Sequence, residues 1–214
     1  LVHGTLAEAV GVICPARSGL MTVISADADV YALRNVGLRP FSISQMRFRW
    51  ATTTAFTSAQ CLSFAFSKVI GVQMVHDTGT PVSVKAHYRS QVPVANTVSG
   101  SKIPNSAGTP PVIVDPPASG DGLRQVALDC VIAGTAAMTI SNATLAYTAP
   151  DADEPDIFVV AAGSTLPVLY EDWQPRDGLP LVLEQNEGII GKVGITMGAA
   201  GVGRLWVEAE GFFL

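Results

Sequence analysis

Between Ser44 and Trp50 the chain reads Ser44-Gln45-Met46-Arg47-Phe48-Arg49-Trp50. Met46, Phe48 and Trp50 alternate with Gln45, Arg47 and Arg49, and an extended strand sends successive side chains to opposite faces in this way. The same period recurs along the chain. Leu62, Phe64 and Phe66 alternate with Ser63, Ala65 and Ser67, and Val82, Val84, Ala86 and Tyr88 with Ser83, Lys85, His87 and Arg89. Near the end Leu205, Val207 and Ala209 alternate with Arg204, Trp206, Glu208 and Glu210. Further strands are predicted over residues 20–25, 30–34, 125–132, 137–147, 157–160, 181–185 and 189–197. About ten short strands separated by turn signals predict an all-β protein, an antiparallel β-sandwich of jelly-roll-like form. Helix signals are scarce: residues 5–12 could form one short N-terminal helix, and residues 170–173 a turn.

The 214 residues are read as an N-terminal segment or arm, 1–18, followed by a single sandwich domain, 19–214. One stretch breaks the strand pattern. Residues 91–122 hold Pro93, Pro104, Pro110, Pro111, Pro116 and Pro117 among Ser, Asn, Gly and Thr. Proline fixes φ and donates no ladder hydrogen bond, so a long loop or extended arm is predicted here. Two readings stay open for it: an arm over a neighbouring subunit, or an excursion over its own domain.

Composition narrows the function. Hydrophobic residues make up 48% and charged residues 14%, against roughly 25% charged in an average soluble domain. So little charge fits a surface that is partly covered in an assembly, and equally a large core with Ser and Thr outside it. The net charge is −5 with only 13 Lys and Arg. Nucleic-acid binding needs basic residues to neutralise phosphates, so no nucleic-acid partner is expected. No run is long enough for an apolar membrane-spanning helix, and the first residues lack the basic start and apolar stretch of a signal peptide. The numbering opens at Leu1 with no methionine, so a processed or omitted stretch upstream is expected. Cys14, Cys61 and Cys130 are too far apart for a disulfide framework or a metal knuckle, and free cysteines in apolar strands act as small hydrophobes.

No chemical motif rises above its structural alternative. Asp151, Asp153, Glu154 and Asp156 place oxygens at alternating spacing, but the glycine and distal glutamate of a calcium loop are missing. They read as an acidic turn bounded by Pro150 and Pro155, and Asp27 and Asp29 as a loop between strands. His76, Asp77 and His87 could be combined with a serine on paper, yet no nucleophile elbow accompanies them. Gly198-Ala199-Ala200-Gly201-Val202-Gly203 lacks the residues of a phosphate loop and reads as a hairpin turn. The expectation is a non-enzymatic protein with no catalytic residues, cofactor or metal.

Large aromatics away from the core face are interface candidates. Trp206 falls on the polar face of the last strand and Trp173 in a polar turn, and the chain closes on Phe212, Phe213 and Leu214. With Pro104, Pro110 and Pro111 of the proline-rich stretch, these complete the candidate set.

The run Leu181-Val182-Leu183-Glu184-Gln185-Asn186-Glu187-Gly188-Ile189-Ile190, followed by residues 194–210, resembles the closing hairpin of structural proteins of tailed bacteriophages. Residues 43–50 and, more weakly, Ala86-His87-Tyr88-Arg89 are similar as well. The resemblance touches about a third of the chain and implies a virion component assembled in a bacterial cytoplasm. Its expected role is a capsid decoration or cement protein that bridges neighbouring capsid subunits. The expected partners are the major capsid protein or other virion proteins, with a homo-oligomer, trimer included, in view. The alternative is a tail- or fibre-associated module that binds a host receptor or glycan near Trp173 and the acidic cluster.

Overall fold

The computed structural model describes residues 10–22, 28–62, 64–82, 84–88, 96–97, 103–106, 128–148, 158–163, 165, 169–173, 181–193 and 201–214. The described elements are all β. One sheet runs β14 (Leu169–Trp173), β3 (Phe41–Thr54), β17 (Val202–Phe213), β1 (Val10–Arg17), β8 (Lys85–Tyr88) and β9 (Asn96–Thr97). A further strand, β15 (Leu181–Leu183), pairs with the first residues of β3. The second sheet runs β12 (Thr144–Thr148), β5 (Phe64–Ile70), β16 (Glu187–Val193), β2 (Asp29–Asn35), β10 (Leu128–Ile132) and β7 (Thr80–Pro81). Two small ladders complete it: β6 (Val75–His76) with β11 (Ile140–Ser141), and β4 (Gln60–Leu62) with β13 (Phe158–Val160). Every named ladder is antiparallel.

The two large sheets pack face to face, as an antiparallel sandwich should. Met46, Phe48 and Trp50 of β3 point inward with Leu205, Val207 and Ala209 of β17, as the alternation predicted. They meet Tyr31, Leu33, Phe66, Ile189 and Val193 from the second sheet. Phe48 and Phe66 join the sheets with ring centroids 4.8 Å apart, and Phe41 packs on Phe213 at 5.0 Å.

The middle of the second sheet is buried on both faces, which explains why every residue of β2 and β10 is buried. Its outer side carries Ala32, Val69, Val131 and Ile190. Met74, Ile103 and Met138 from the β6–β11 layer cover them. Polar groups under that cover must find partners there, and Arg34 binds Asp129 beneath it.

Several expectations change. Residues 10–17 were expected in an N-terminal arm, partly helical, but they form β1, held between β17 and β8; residues 1–9 lie outside the described residues. The strand predicted over 137–147 is broken into β11 and β12 at Asn142, which takes a positive φ of 59°. Of the strand predicted at 20–25, Met21 makes an isolated bridge to Gly203, and residues 23–27 lie outside the described residues.

The closing hairpin is not one: β16 belongs to the second sheet and β17 to the first, so the two strands do not pair; residues 194–200 between them lie outside the described residues. Gly201 and Gly203 are instead required by close packing, since a Cβ would enter the rings of Phe56 and Trp50. In Asn186-Glu187-Gly188 the asparagine takes the positive φ, 65°. Gly188 is a strand residue whose Cβ would strike the Leu33 carbonyl oxygen.

Candidate interaction surfaces

One end of the sandwich gathers apolar side chains in the open. Leu38, Ile70, Val72, Leu145 and Leu214 are 46–66% exposed, and among the described residues Leu20 is the one other exposed large apolar residue. The loops that carry them are tied together. The Asn186 amide donates to the Asn35 carbonyl at 2.6 Å, and the Gly71 amide to the Asn186 carbonyl at 2.9 Å. Buried Asn35 donates through Nδ2 to the Arg39 and Leu183 carbonyls at 2.8 and 2.9 Å, and its Oδ1 accepts the Gly37 amide at 3.0 Å.

The terminus joins the same network. The Leu214 amide donates to the Pro40 carbonyl at 2.9 Å, and Arg39 Nε donates back to the Leu214 carbonyl oxygen at 2.8 Å. Arg34 reaches up from beneath and donates to the carbonyls of Gly71 at 2.7 Å and Val72 at 3.3 Å. Loops held this way present Leu38 and Val72 at small further cost in order, which is what a binding surface requires. The hint was present in Val36-Gly37-Leu38-Arg39-Pro40 and Ile70-Gly71-Val72, where large aliphatics occupy turns that usually carry polar residues.

A second surface is the outer face of the first sheet. Along β17 the residues that do not face the core, Arg204, Trp206, Glu208, Glu210 and Phe212, are all half-buried. The register sets Arg17 and Arg49 on either side of Trp206. Arg47 donates to Glu208 Oε1 at 2.6 Å, Glu210 Oε2 at 3.1 Å and Gln45 Oε1 at 2.6 Å. The bond to Glu208 leads in pushing the guanidinium pKa further up. Such partly exposed pairs contribute little to stability, about 0–1 kcal/mol each; here they fix side chains on the outer face.

The other candidates fall as follows. Phe213 is 1% exposed and packs within the chain's own core, so it is a core residue and not an interface group. Phe212 shares the Trp206 face. Trp173 lies in β14, paired with Met46, and not in a turn. The Pro104 carbonyl accepts the His76 amide at 3.0 Å and the Ser106 amide donates to the His76 carbonyl at 2.7 Å, while Ile103 is buried against the second sheet. This part of the proline-rich stretch therefore lies over its own domain. Pro110, Pro111 and the acidic residues 151–156 lie outside the described residues.

The carboxylates of Asp29 and Asp77 have structural partners. Asp29 is not a loop residue: it opens β2, accepts the Ile140 amide through Oδ2 at 2.7 Å, and sits 3.5 Å from Lys192. Burial raises its pKa, against the pull of that amide and of Lys192. For Asp77 burial alone would raise the carboxyl. Hydrogen bonds led by the Thr139 and Thr78 amides outweigh it and hold the group below its ordinary value. Burial pushes the Cys130 thiol up to about 12 and Cys14 well above its usual value, the state of inert core thiols. Among the described residues no three His, Cys, Asp or Glu side chains converge as metal ligands.

His76 is buried, and burial lowers its pKa although Asp77 beside it pulls the other way. A lowered folded pKa means that the unfolded chain takes up a proton the folded chain refuses, so stability is full above about 6.5 and falls as pH drops below it. Urea midpoints should therefore decrease from about pH 7 to about pH 5.5, and the decrease should shrink in His76→Gln. An equal decrease in that variant would assign it to other groups. The sequence matches no protein-family model and no curated protein.

Proposed function

We propose that this chain is a structural component of a tailed-phage particle, a decoration or cement protein that bridges neighbouring capsid subunits. The observation that carries an assembly role is the apolar end: Leu38 and Val72, each 66% exposed, stand on loops pinned to the core. Exposed apolar patches of this kind mark contact sites for other macromolecules. Many weak copies bound at symmetric positions reinforce one another without any single tight contact.

Strand order supports the virion setting. With β1, β2, β3, β5, β12, β14, β16 and β17 taken as eight successive strands, one sheet runs first, eighth, third, sixth. The other runs second, seventh, fourth, fifth. That order supports a jelly-roll winding, an architecture that recurs in viral coats. β8 and β10 enter between the fourth and fifth strands and extend the β1 and β2 edges. The likeness of residues 43–50, 181–190 and 194–210 to phage structural proteins points the same way, through local sequence and no longer through a hairpin.

Full burial of a Leu or Val side chain is worth about 1.5–3 kcal/mol. Leu38→Glu with Val72→Glu should therefore weaken binding to particles depleted of this protein by at least about 100-fold, with the thermal melt unchanged. Undiminished binding of a folded double variant would remove the apolar end from the attachment site.

A further inference from the structure

We propose that residues 72–78, with β6 at their centre, form a proton-operated latch. A proton on His76 lifts them from the second sheet and frees the Val72 loop, while the two large sheets stay packed. As regulation of the apolar end the latch rests on the attachment role proposed above; its opening does not.

His76 lies in the layer over the second sheet and is 2% exposed. Its Nδ1 is buried and has no hydrogen-bond partner among the described residues. A Cβ built on Gly79 would stand 3.1 Å from that nitrogen, 2.5 Å from Val131 Cγ2 and 2.7 Å from Met138 Sδ. The nitrogen therefore shares its space with a methyl group and a thioether. A neutral imidazole can leave one nitrogen without a hydrogen, but a protonated ring is a donor at both. The closed layer would then bury a charged donor with no acceptor, which costs free energy that the open layer, in water, does not lose.

The neighbouring charges do not relieve it. Asp77 favours the proton, but its Oδ1 already accepts the Thr78 amide at 2.6 Å and the Thr139 amide at 2.8 Å, and burial of the ring outweighs its pull. Asp29, which accepts the Ile140 amide of β11, sits beside Lys192, and Asp129 of β10 is bound by Arg34 beneath the layer. Residues 103–106 and 138–141 carry no charged side chain.

Opening can stop at this layer because the core beneath it is separate. Met74, Ile103 and Met138 cluster with Ala32, Val69, Val131 and Ile190, and none of these belongs to the cluster between the sheets. Among the described residues the layer is held by short contacts. β6 and β11 pair over two residues, the His76 amide and carbonyl bond Pro104 and Ser106, and Asn105 Nδ2 donates to the Asp77 carbonyl at 2.8 Å. Elements held so sparsely open at lower free energy than the whole chain unfolds.

The Val72 loop is continuous with the latch. The Met74 amide donates to the Gly71 carbonyl at 3.3 Å, and a Cβ on Gly71 would stand 2.9 Å from Met74 Cβ. Gly71 is anchored by Arg34 at 2.7 Å and by Asn186 at 2.9 Å, whereas the Arg34 bond to Val72 is longer, 3.3 Å. A chain that lifts beyond Gly71 takes Val72 with it.

The test is hydrogen exchange on the full chain, read as protection factors amide by amide. The amides of Met74, His76, Asp77 and Ser106 should be at least about 100-fold less protected than those of Ile189 and Ile190 in β16. Their exchange should also depend less on low urea, because a local opening exposes less surface. From about pH 7.5 to about pH 5.5 their protection should fall at least about 3-fold, since the open layer takes up a proton that the closed one refuses. The fall should be absent in His76→Gln. Protection and urea dependence equal to those of Ile189 and Ile190 would overturn the proposal, as would protection that ignores pH or an equal fall in His76→Gln. The wild type alone supplies the first two readings, so an unstable variant does not protect the idea. Depleted particles should be held less tightly at the lower pH. A layer that opens over unchanged binding would overturn the regulation, and particles that bind at neither pH would count against the attachment role alone.

Discussion

Replacing Asp129 with alanine should lower the stability of the chain by about 3–5 kcal/mol, read from urea unfolding. The reason is what remains behind. Asp129 is completely buried and Arg34 is 7% exposed, and the two are joined at 2.5 Å under the Met74–Ile103–Met138 layer. Removing one partner of a buried pair leaves the other charge without its counterion, and that costs far more than the pair contributes when intact. Since single domains are stable by only about 5–15 kcal/mol, the variant should lie near the edge of folding.

The double variant Arg34→Met with Asp129→Leu should recover much of the loss, since a well-packed apolar pair often equals a buried ion pair. It should not recover particle binding, because Arg34 also holds the Gly71 and Val72 carbonyls. A double variant as unstable as Asp129→Ala would show that the pair is needed for the fold itself.

Trp50→Ala should cost about 3–5 kcal/mol, the range for truncating a large buried aromatic. Trp50 is 2% exposed and its indole Nε1 donates to Thr52 Oγ1 at 3.1 Å. Its ring lies where a Cβ on Gly203 of the neighbouring strand would have to go. Gly203→Ala alone should therefore destabilise by about 1–3 kcal/mol through overpacking. In the Trp50→Ala background the same change should cost much less, because the ring is gone and the two effects are coupled. Additive losses in thermal or urea unfolding would mean that ring and glycine do not share this space.

The sequence made the strands legible where one face meets water and the other the core. β3 and β17 alternate because the inner side of the first sheet is fully buried in the core while its outer side is only partly buried. β2 and β10 show no such alternation, and the reason is spatial: the β6–β11 layer closes over the second sheet from segments distant in sequence. Partner choice was hidden for a similar reason. A glycine-rich link between two apolar strands reads as a hairpin, and only the register with β1, β2, β3 and β5 places β16 and β17 in opposite sheets.

The candidate surfaces were partly legible. The alternation put Trp206 on the non-core face of β17, where it lies. It did not separate Phe212 from Phe213, which fall on opposite faces of the same strand. The apolar end was missed because Leu38, Ile70 and Leu214 come from three segments distant in sequence. Their nearness depends on hydrogen bonds through Asn35, Asn186 and the terminal residue.

The most direct test of an assembly role on the capsid is an image of the intact particle in which side chains can be traced. The expected result is this chain on the outside of the head at symmetric positions, with Leu38 and Val72 against the coat. Finding it in the tail or fibres, or on the head with Leu38 and Val72 facing solvent, would contradict that role.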